Sequence, residues 1–253
     1  VSGTAIGLWG VYLGMTVVMA VFLMFGPMDW FDSLCHTMSC VSTGGFSTKN
    51  ESIGFWDSRY IDSIVIVFMF LGGVNFSLIY NALSGKIRVL WENEVLRWYV
   101  LLCCIGTLIC FGDLFYRGEN SNVIDCLLDS LFHIVATITT TGFSVENYSW
   151  GQFSMMVLML LMISCACAGS TSGGLKIDRM AVMLKNVKNE FIKALHPNQV
   201  TSVRLNGKVV PYAHVQRVIA FLVIFTLILG VSTTVLTLFN IDVFDSFFLS
   251  LSA

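Results

Sequence analysis

The residues best suited to chemistry lie in two short stretches, Val41-Ser42-Thr43-Gly44-Gly45-Phe46-Ser47 and Ile138-Thr139-Thr140-Thr141-Gly142-Phe143-Ser144. Both contain Thr-x-Gly-Phe-Ser. A cation leaving water needs its hydration shell replaced, and backbone carbonyls can do this without placing a full charge inside a membrane. Successive carbonyls turn toward one axis only where the backbone adopts angles open mainly to glycine. Gly45 and Gly142 suit that task, and Gly44 adds freedom. Ser42, Thr43, Thr139, Thr140 and Thr141 are then the expected sources of carbonyl and hydroxyl oxygen. The chemistry expected is binding and passage of a dehydrated cation. Two ordinary re-entrant turns that pack helices are the bland alternative, and the occurrence of two copies in register argues against it.

The elements that must position these turns repeat as well. Asp32-Ser33-Leu34-Cys35-His36 answers Asp129-Ser130-Leu131-Phe132-His133, and every matched pair is offset by 97 residues without a gap. Each turn closes an apolar run too short to cross a bilayer, Trp30–Val41 and Val123–Ile138. Such runs read as pore helices that aim partially negative C-terminal ends inward. A third copy begins at Phe244-Asp245-Ser246-Phe247-Phe248, and its own Gly-Phe turn is expected past Ala253. Longer apolar runs at Ala5–Gly26, Ile61–Leu83, Trp98–Phe115 and Val215–Phe239 are expected to span. Trp150–Cys167 begins another span, which Gly169–Gly174 interrupts before the basic helix Leu175–Leu195. Loops are expected at Lys49–Asp57, Gly85–Arg97 and His196–Pro211.

Composition agrees. Of 253 residues, 56% are hydrophobic and 12% charged, with mean hydropathy +0.78; soluble domains carry about 25% charged residues. The expected fold class is an all-α polytopic membrane protein, built from helix–pore helix–filter–helix units around a pseudo-fourfold pore. The eight cysteines fall in apolar or pore-helix runs and read as reduced packing residues. The first run lacks a basic leader and a cleavage site, so no signal peptide is expected. The chain opens and stops inside apolar segments, which reads as a fragment.

Charge sets the expected orientation. Of 14 Lys and Arg, three lie in Gly85–Arg97 and eight in Lys176–Arg217, leaving Lys49, Arg59 and Arg117 on the other side. Basic loops stay in the cytoplasm, so both turns are expected to face outward. Twelve of the 16 acids sit on the turn side, including Asp29, Asp32, Glu51, Asp57, Asp125, Asp129, Glu146 and Asp242. An acidic mouth raises local cation concentration.

The stretch Ala168, Gly169, Ser170, Thr171, Ser172, Gly173, Gly174 cannot continue a helix stably. Halfway down a span, it can unwind near the filter and obstruct the cavity; Lys176 follows it. Its Gly169-x-x-x-x-Gly174-Leu175-Lys176 spacing approaches a phosphate-binding loop, but the Lys is one place late and no Ser or Thr follows. His36 and His133 sit on equivalent faces of the two pore helices. They read as hydrogen-bonded anchors rather than metal ligands, because the third copy has Leu249 there. Asn75 is expected to bond a neighbouring backbone carbonyl or helix. A membrane enzyme using the two histidines would need a nucleophile–base or metal-ligand constellation, and none is visible.

Taken together, Val-Ser-Thr-Gly-Gly-Phe-Ser, Thr-Thr-Thr-Gly-Phe-Ser, Gly72-Gly73-Val74-Asn75-Phe76-Ser77 and Ala168 through Lys176 resemble the Trk/Ktr/HKT superfamily of potassium uptake proteins, bacterial TrkH type. The resemblance covers essentially the whole chain. It implies four span–pore–span repeats, of which residues 1–95 are the second, 96–214 the third with gate loop 168–176, and 215–253 the start of the fourth. It further implies potassium as the transported ion at the filter residues, no other cofactor and no structural metal. A mobile gate, a homodimer and a cytosolic nucleotide-binding regulatory subunit follow from the same resemblance. So do a bacterial inner-membrane location and no role for nucleic acid. Sodium transport or sodium–potassium symport within the superfamily is the alternative.

Overall fold

The computed structural model describes residues 2–118, 122–145, 150–196, 199 and 201–252. The chain forms two compact units, Val1–Gly174 and Leu175–Ala253. In the first, α1 (Ser2–Met24) precedes α2 (Trp30–Val41), and α3 (Arg59–Gly72) is followed by α4 (Phe76–Leu83) and the short α5 (Arg88–Glu92). Next come α6 (Glu94–Arg117), α7 (Val123–Ile138) and α8 (Gln152–Ser164). The second unit holds α9 (Ile177–Leu195), a two-stranded ribbon (β1 Arg204–Leu205, β2 Lys208–Val209), α10 (Tyr212–Thr237) and α11 (Val243–Ser252).

Among the described residues, three helices are long and apolar enough to cross a membrane: Ile6–Met24, Glu94–Arg117 and Tyr212–Thr237. Their outward faces carry exposed Leu, Val, Ile and Phe, such as Leu108 and Leu227, which suits lipid rather than water as the surrounding solvent. The two pore helices fall on the residues that their apolar runs predict. At 12 and 16 residues they reach roughly 18 and 24 Å at 1.5 Å per residue, short of a bilayer core of about 30 Å. They pack against α1, α3, α6 and α8 in the first unit's core, where Met19, Leu23, Val41, Ile61, Met69 and Phe132 are fully buried.

Several expectations need correction. Ile61–Leu83 is not one straight span: α3 and α4 meet at 104° across a three-residue break. Gly72 and Gly73 hold the helix weakly, and Asn75 restarts it by accepting the Ser77 N–H at 2.8 Å, an N-cap. A side chain at Gly73 would meet the Tyr99 hydroxyl at 2.5 Å and the Thr139 methyl at 2.9 Å, so the break lies where elements crowd. The interruption after α8 begins at Cys165 (φ 49°), not at Gly169. Part of Gly85–Arg97 is helical, because Asn93 caps α6 through Leu96 N–H at 3.0 Å. His196–Pro211 contains the ribbon, whose Asn206-Gly207 turn has φ 50° and 75°, the geometry that Asn-Gly favours. Lys49–Asp57 includes a 3₁₀ turn, Ser52–Trp56, with Ile53 fully buried. Glu146 lies outside the described residues. All eight cysteines lie outside disulfides.

Candidate functional site

The two Gly-Phe turns share three backbone bonds at matched positions, and the second adds one more, Gly142 N–H to Ala136 O at 3.2 Å. In the first, Ser42, Thr43 and Gly44 N–H donate to the carbonyls of Met38 (3.1 Å), Cys40 (2.9 Å) and Ser39 (2.7 Å). In the second, Thr139, Thr140 and Thr141 N–H donate to Val135 (3.0 Å), Thr137 (3.0 Å) and Ala136 (2.9 Å). Each partner is displaced by the same 97 positions. The helix-like caps Ser42 (φ −79°) and Thr139 (φ −85°) are followed by left-handed Thr43 (φ 53°) and Thr140 (φ 56°). Gly45 (φ 70°) and Gly142 (φ 78°) are left-handed again. A left-handed threonine costs roughly 1–2 kcal/mol and persists only where its surroundings impose it. The strain recurs at equivalent places in both turns.

The turns meet. A Cβ on Gly45 would overlap the Thr141 carbonyl oxygen and approach the Gly142 carbonyl carbon to 3.4 Å. Gly45 is thus required twice, by its φ and by the opposing strand. Gly44 is required by neither: a Cβ there would make only ordinary contacts, at 3.4 Å from Ser42 Oγ and beyond. Most side-chain hydroxyls are engaged locally. Thr139 Oγ1 bonds Val135 O at 2.6 Å and lies 2.8 Å from Thr141 Oγ1, both buried. Thr43 Oγ1 lies 2.7 Å from Ser42 O. The main-chain carbonyls are left as the principal ligands the turns can offer a cation.

The interrupting loop lies against the ends of both pore helices. Thr171 Oγ1 is 3.0 Å from the carbonyl of Val41, the last residue of α2, and 3.2 Å from that of Gly72. Gly173 N–H donates to Thr140 Oγ1 at 2.8 Å. Ser170 Oγ bonds Cys167 O at 2.5 Å and Ser172 Oγ at 2.7 Å. Gly169 and Gly174 have φ 78° and 69°, and a Cβ on Gly174 would overlap the Cys165 sulfur. Lys176 (φ 64°) heads α9 in the second unit.

Residues 1–253, the whole chain, match the TrkH family, described as a cation transport protein. The chain belongs to the TrkH cation transport family. Relatives include the Trk system potassium uptake protein TrkH of Escherichia coli K12, 31% identical over 98% of this chain and 52% of that protein. TrkG of the same strain is 29% identical over 97% and 51%. The crystal structure of the potassium transporter TrkH from Vibrio parahaemolyticus superposes with a TM-score of 0.90 at 28% identity, covering 97% of this chain and 53% of that one. The chain therefore spans about half the length of the relatives it matches. It is an integral membrane protein of this transport family, with the polytopic helical fold expected.

In this TrkH-family chain both histidine rings bond the carbonyl one helical turn earlier. His36 is fully buried, with Nδ1 2.7 Å from Asp32 O and Nε2 2.8 Å from Ser47 Oγ, so it ties its pore helix to the far end of its own turn. It packs edge-on to Trp56 and stacks on Phe143 of the other turn, ring centroids 6.0 Å apart. His133 Nδ1 repeats the first bond, 2.9 Å from Asp129 O. No group of three metal-ligating side chains occurs among the described residues.

Sequence reasoning missed what the acids do. Asp32 and Asp129, read as mouth charges, are buried and paired. Asp32 accepts from Thr48 Oγ1 at 2.7 Å and pairs with Lys49 at 3.3 Å. Asp129 is gripped by Arg59, which also reaches Asp125 at 3.0 Å and Asp62 at 3.6 Å. Their matching places, one helical turn before each histidine, were the available signal. Also missed was Gly54, where a Cβ would overlap the Val145 carbonyl. There the 3₁₀ turn receives the second Gly-Phe turn, with Ile53 N–H donating to Ser144 O at 3.1 Å.

Proposed function

We propose that the chain supplies two filter strands of a potassium uptake subunit, moving K⁺ across a bacterial inner membrane past an intramembrane gate. The observation that carries this reading is the meeting of two turns that share three backbone bonds and two left-handed residues at matched positions, each at the C-terminal end of a half-crossing helix. Ser42, Thr43, Gly44, Gly45, Thr139, Thr140, Thr141 and Gly142 hold the ion, mainly through carbonyl oxygens, with the pore-helix ends adding negative potential. Ala168 through Gly174 is the barrier, and Lys176 begins the helix that follows it. The relatives above are named for potassium uptake, which favours potassium over sodium and transport over catalysis.

The repeats proposed are residues 1–95, 96–214 and 215–253. The turns face outward, as the basic segments Lys86–Arg97 and Lys176–Arg217 support by the positive-inside rule. The assembly is a homodimer, and a cytosolic nucleotide-binding subunit regulates it. Rubidium and sodium uptake into liposomes holding the full-length protein tests the central point. Rubidium flux well above sodium flux, with selectivity lost in Gly45→Ser and Gly142→Ser, is expected. Unchanged selectivity in both variants overturns the filter assignment.

A further inference from the structure

Two helices of the first unit are interrupted, and the interruptions are bonded to each other. A break in a helix frees N–H and C=O groups that lipid cannot satisfy. Here each break satisfies the other. Cys167 N–H donates to Gly73 O at 3.1 Å, Thr171 N–H to Gly72 O at 3.3 Å, and Phe76 N–H to Gly169 O at 3.0 Å. Asn75 bounds the contact, since a Cβ on Gly169 would stand 2.8 Å from its Nδ2. The Thr171 hydroxyl has a single proton to share between the Val41 and Gly72 carbonyls. It joins the loop, the seat and the base of the first filter at one atom.

We propose that the Gly72–Asn75 break is the seat on which the gate loop closes, and that Thr171 is the positioning residue that bolts it there. The inference rests on reading Ala168–Gly174 as a gate and adds what holds that gate shut. A helix continuous through Gly73 would keep the Gly72 and Gly73 carbonyls for its own next turn and give the loop nothing to bond. The break instead presents both carbonyls beside Val41. Opening leaves these carbonyls to pore water, so each bond biases the closed state by only a few-fold. That is a range a regulatory input can overcome.

Resting rubidium flux and reversal potential of the full-length protein in liposomes test this. Thr171→Val removes the proton while keeping the shape, and raises resting flux on the order of fivefold. Its potassium-over-sodium reversal potential stays at the wild-type value, since Ser42, Thr43 and Gly44 keep their own N–H bonds to the pore helix when the Val41 carbonyl loses Thr171. Thr171→Ser, which keeps the hydroxyl, restores the low resting flux. Gly169→Ala raises flux independently, by driving a methyl group into the Asn75 amide. Should Thr171→Val fail to insert, Gly169→Ala decides the matter alone. Wild-type resting flux in Thr171→Val, or in Gly169→Ala where that decides, overturns the seat. The gate reading survives that result if deletion of Gly169–Gly174 still raises flux; low flux in the deletion overturns the gate as well.

Discussion

Replacing Gly45 with alanine adds one methyl group at the point where the two turns touch. Two costs follow. Holding alanine at φ 70° costs roughly 1–2 kcal/mol. The methyl group also overlaps the Thr141 carbonyl, a backbone atom that cannot rotate aside, and forced overpacking of this kind costs about 1–3 kcal/mol. The strands must separate, which changes the spacing of the carbonyls proposed to replace the hydration shell. Selectivity depends on the difference between potassium and sodium binding, and about 1.4 kcal/mol in that difference is tenfold; the two costs together exceed it. Gly44→Ala is the internal control, one residue away with no positive φ and no atom nearer than 3.4 Å. Gly142→Ala is intermediate: its φ of 78° is strained, but no described atom lies within 4 Å of the added Cβ. Bi-ionic reversal potentials of full-length protein in liposomes read the ratio. Gly45→Ala should lower potassium-over-sodium selectivity tenfold or more, and Gly44→Ala by less than about threefold. Equal effects at Gly44 and Gly45, at matched expression, would refute the reasoning.

Further predictions concern the supports. Arg59→Ala leaves Asp129 buried without its main counter-charge and should destabilise the detergent-purified protein by about 3 kcal/mol; a change under 1 kcal/mol in its unfolding would mean the pair behaves as an exposed one. Adding Asp129→Asn to Arg59→Ala should recover part of that loss. His36→Ala should cost about 2–4 kcal/mol, from lost packing on Trp56 and Phe143 and from a freed Ser47. Zinc and chelators should leave the melting temperature unmoved, and a zinc-dependent shift that vanishes in His36→Ala would show a metal role instead. Gly73→Ala should be harmful through collision with Tyr99 and Thr139, seen as reduced yield of folded protein, whereas alanine at Gly112, which has nothing within 4 Å, should not.

Legibility in the sequence followed physical scale. Trp30–Val41 and Val123–Ile138 could be read to the residue because a local apolar run and an abrupt Gly-Phe turn define them. The demand for glycine at positions 45 and 142 was equally local. That Thr43 and Thr140 share the left-handed backbone was not legible, because threonine enters it only when a helix cap and an opposing strand impose it. The bend at Gly73 was hidden in a continuous apolar run, since glycine and asparagine also occur in straight membrane helices. The carbonyls it frees are taken up by a loop distant in sequence, through Cys167 and Thr171 N–H. Arg59 and Lys49 looked like stray outer charges for a similar reason: their carboxylate partners lie 70 and 17 residues away, and only the fold brings them together. The Asn206-Gly207 ribbon was the reverse case, a local signal overshadowed by the basic charge around it.

The proposed potassium site places a bare cation between the Thr43–Gly45 and Thr140–Gly142 backbones. Anomalous scattering from crystals of the full-length protein soaked in thallium or rubidium measures this directly. A peak is expected within coordinating distance of main-chain oxygens from both turns, weakened in Gly45→Ala. Peaks confined to the acidic loops, with none between the two turns while the protein still transports the ion, would contradict it.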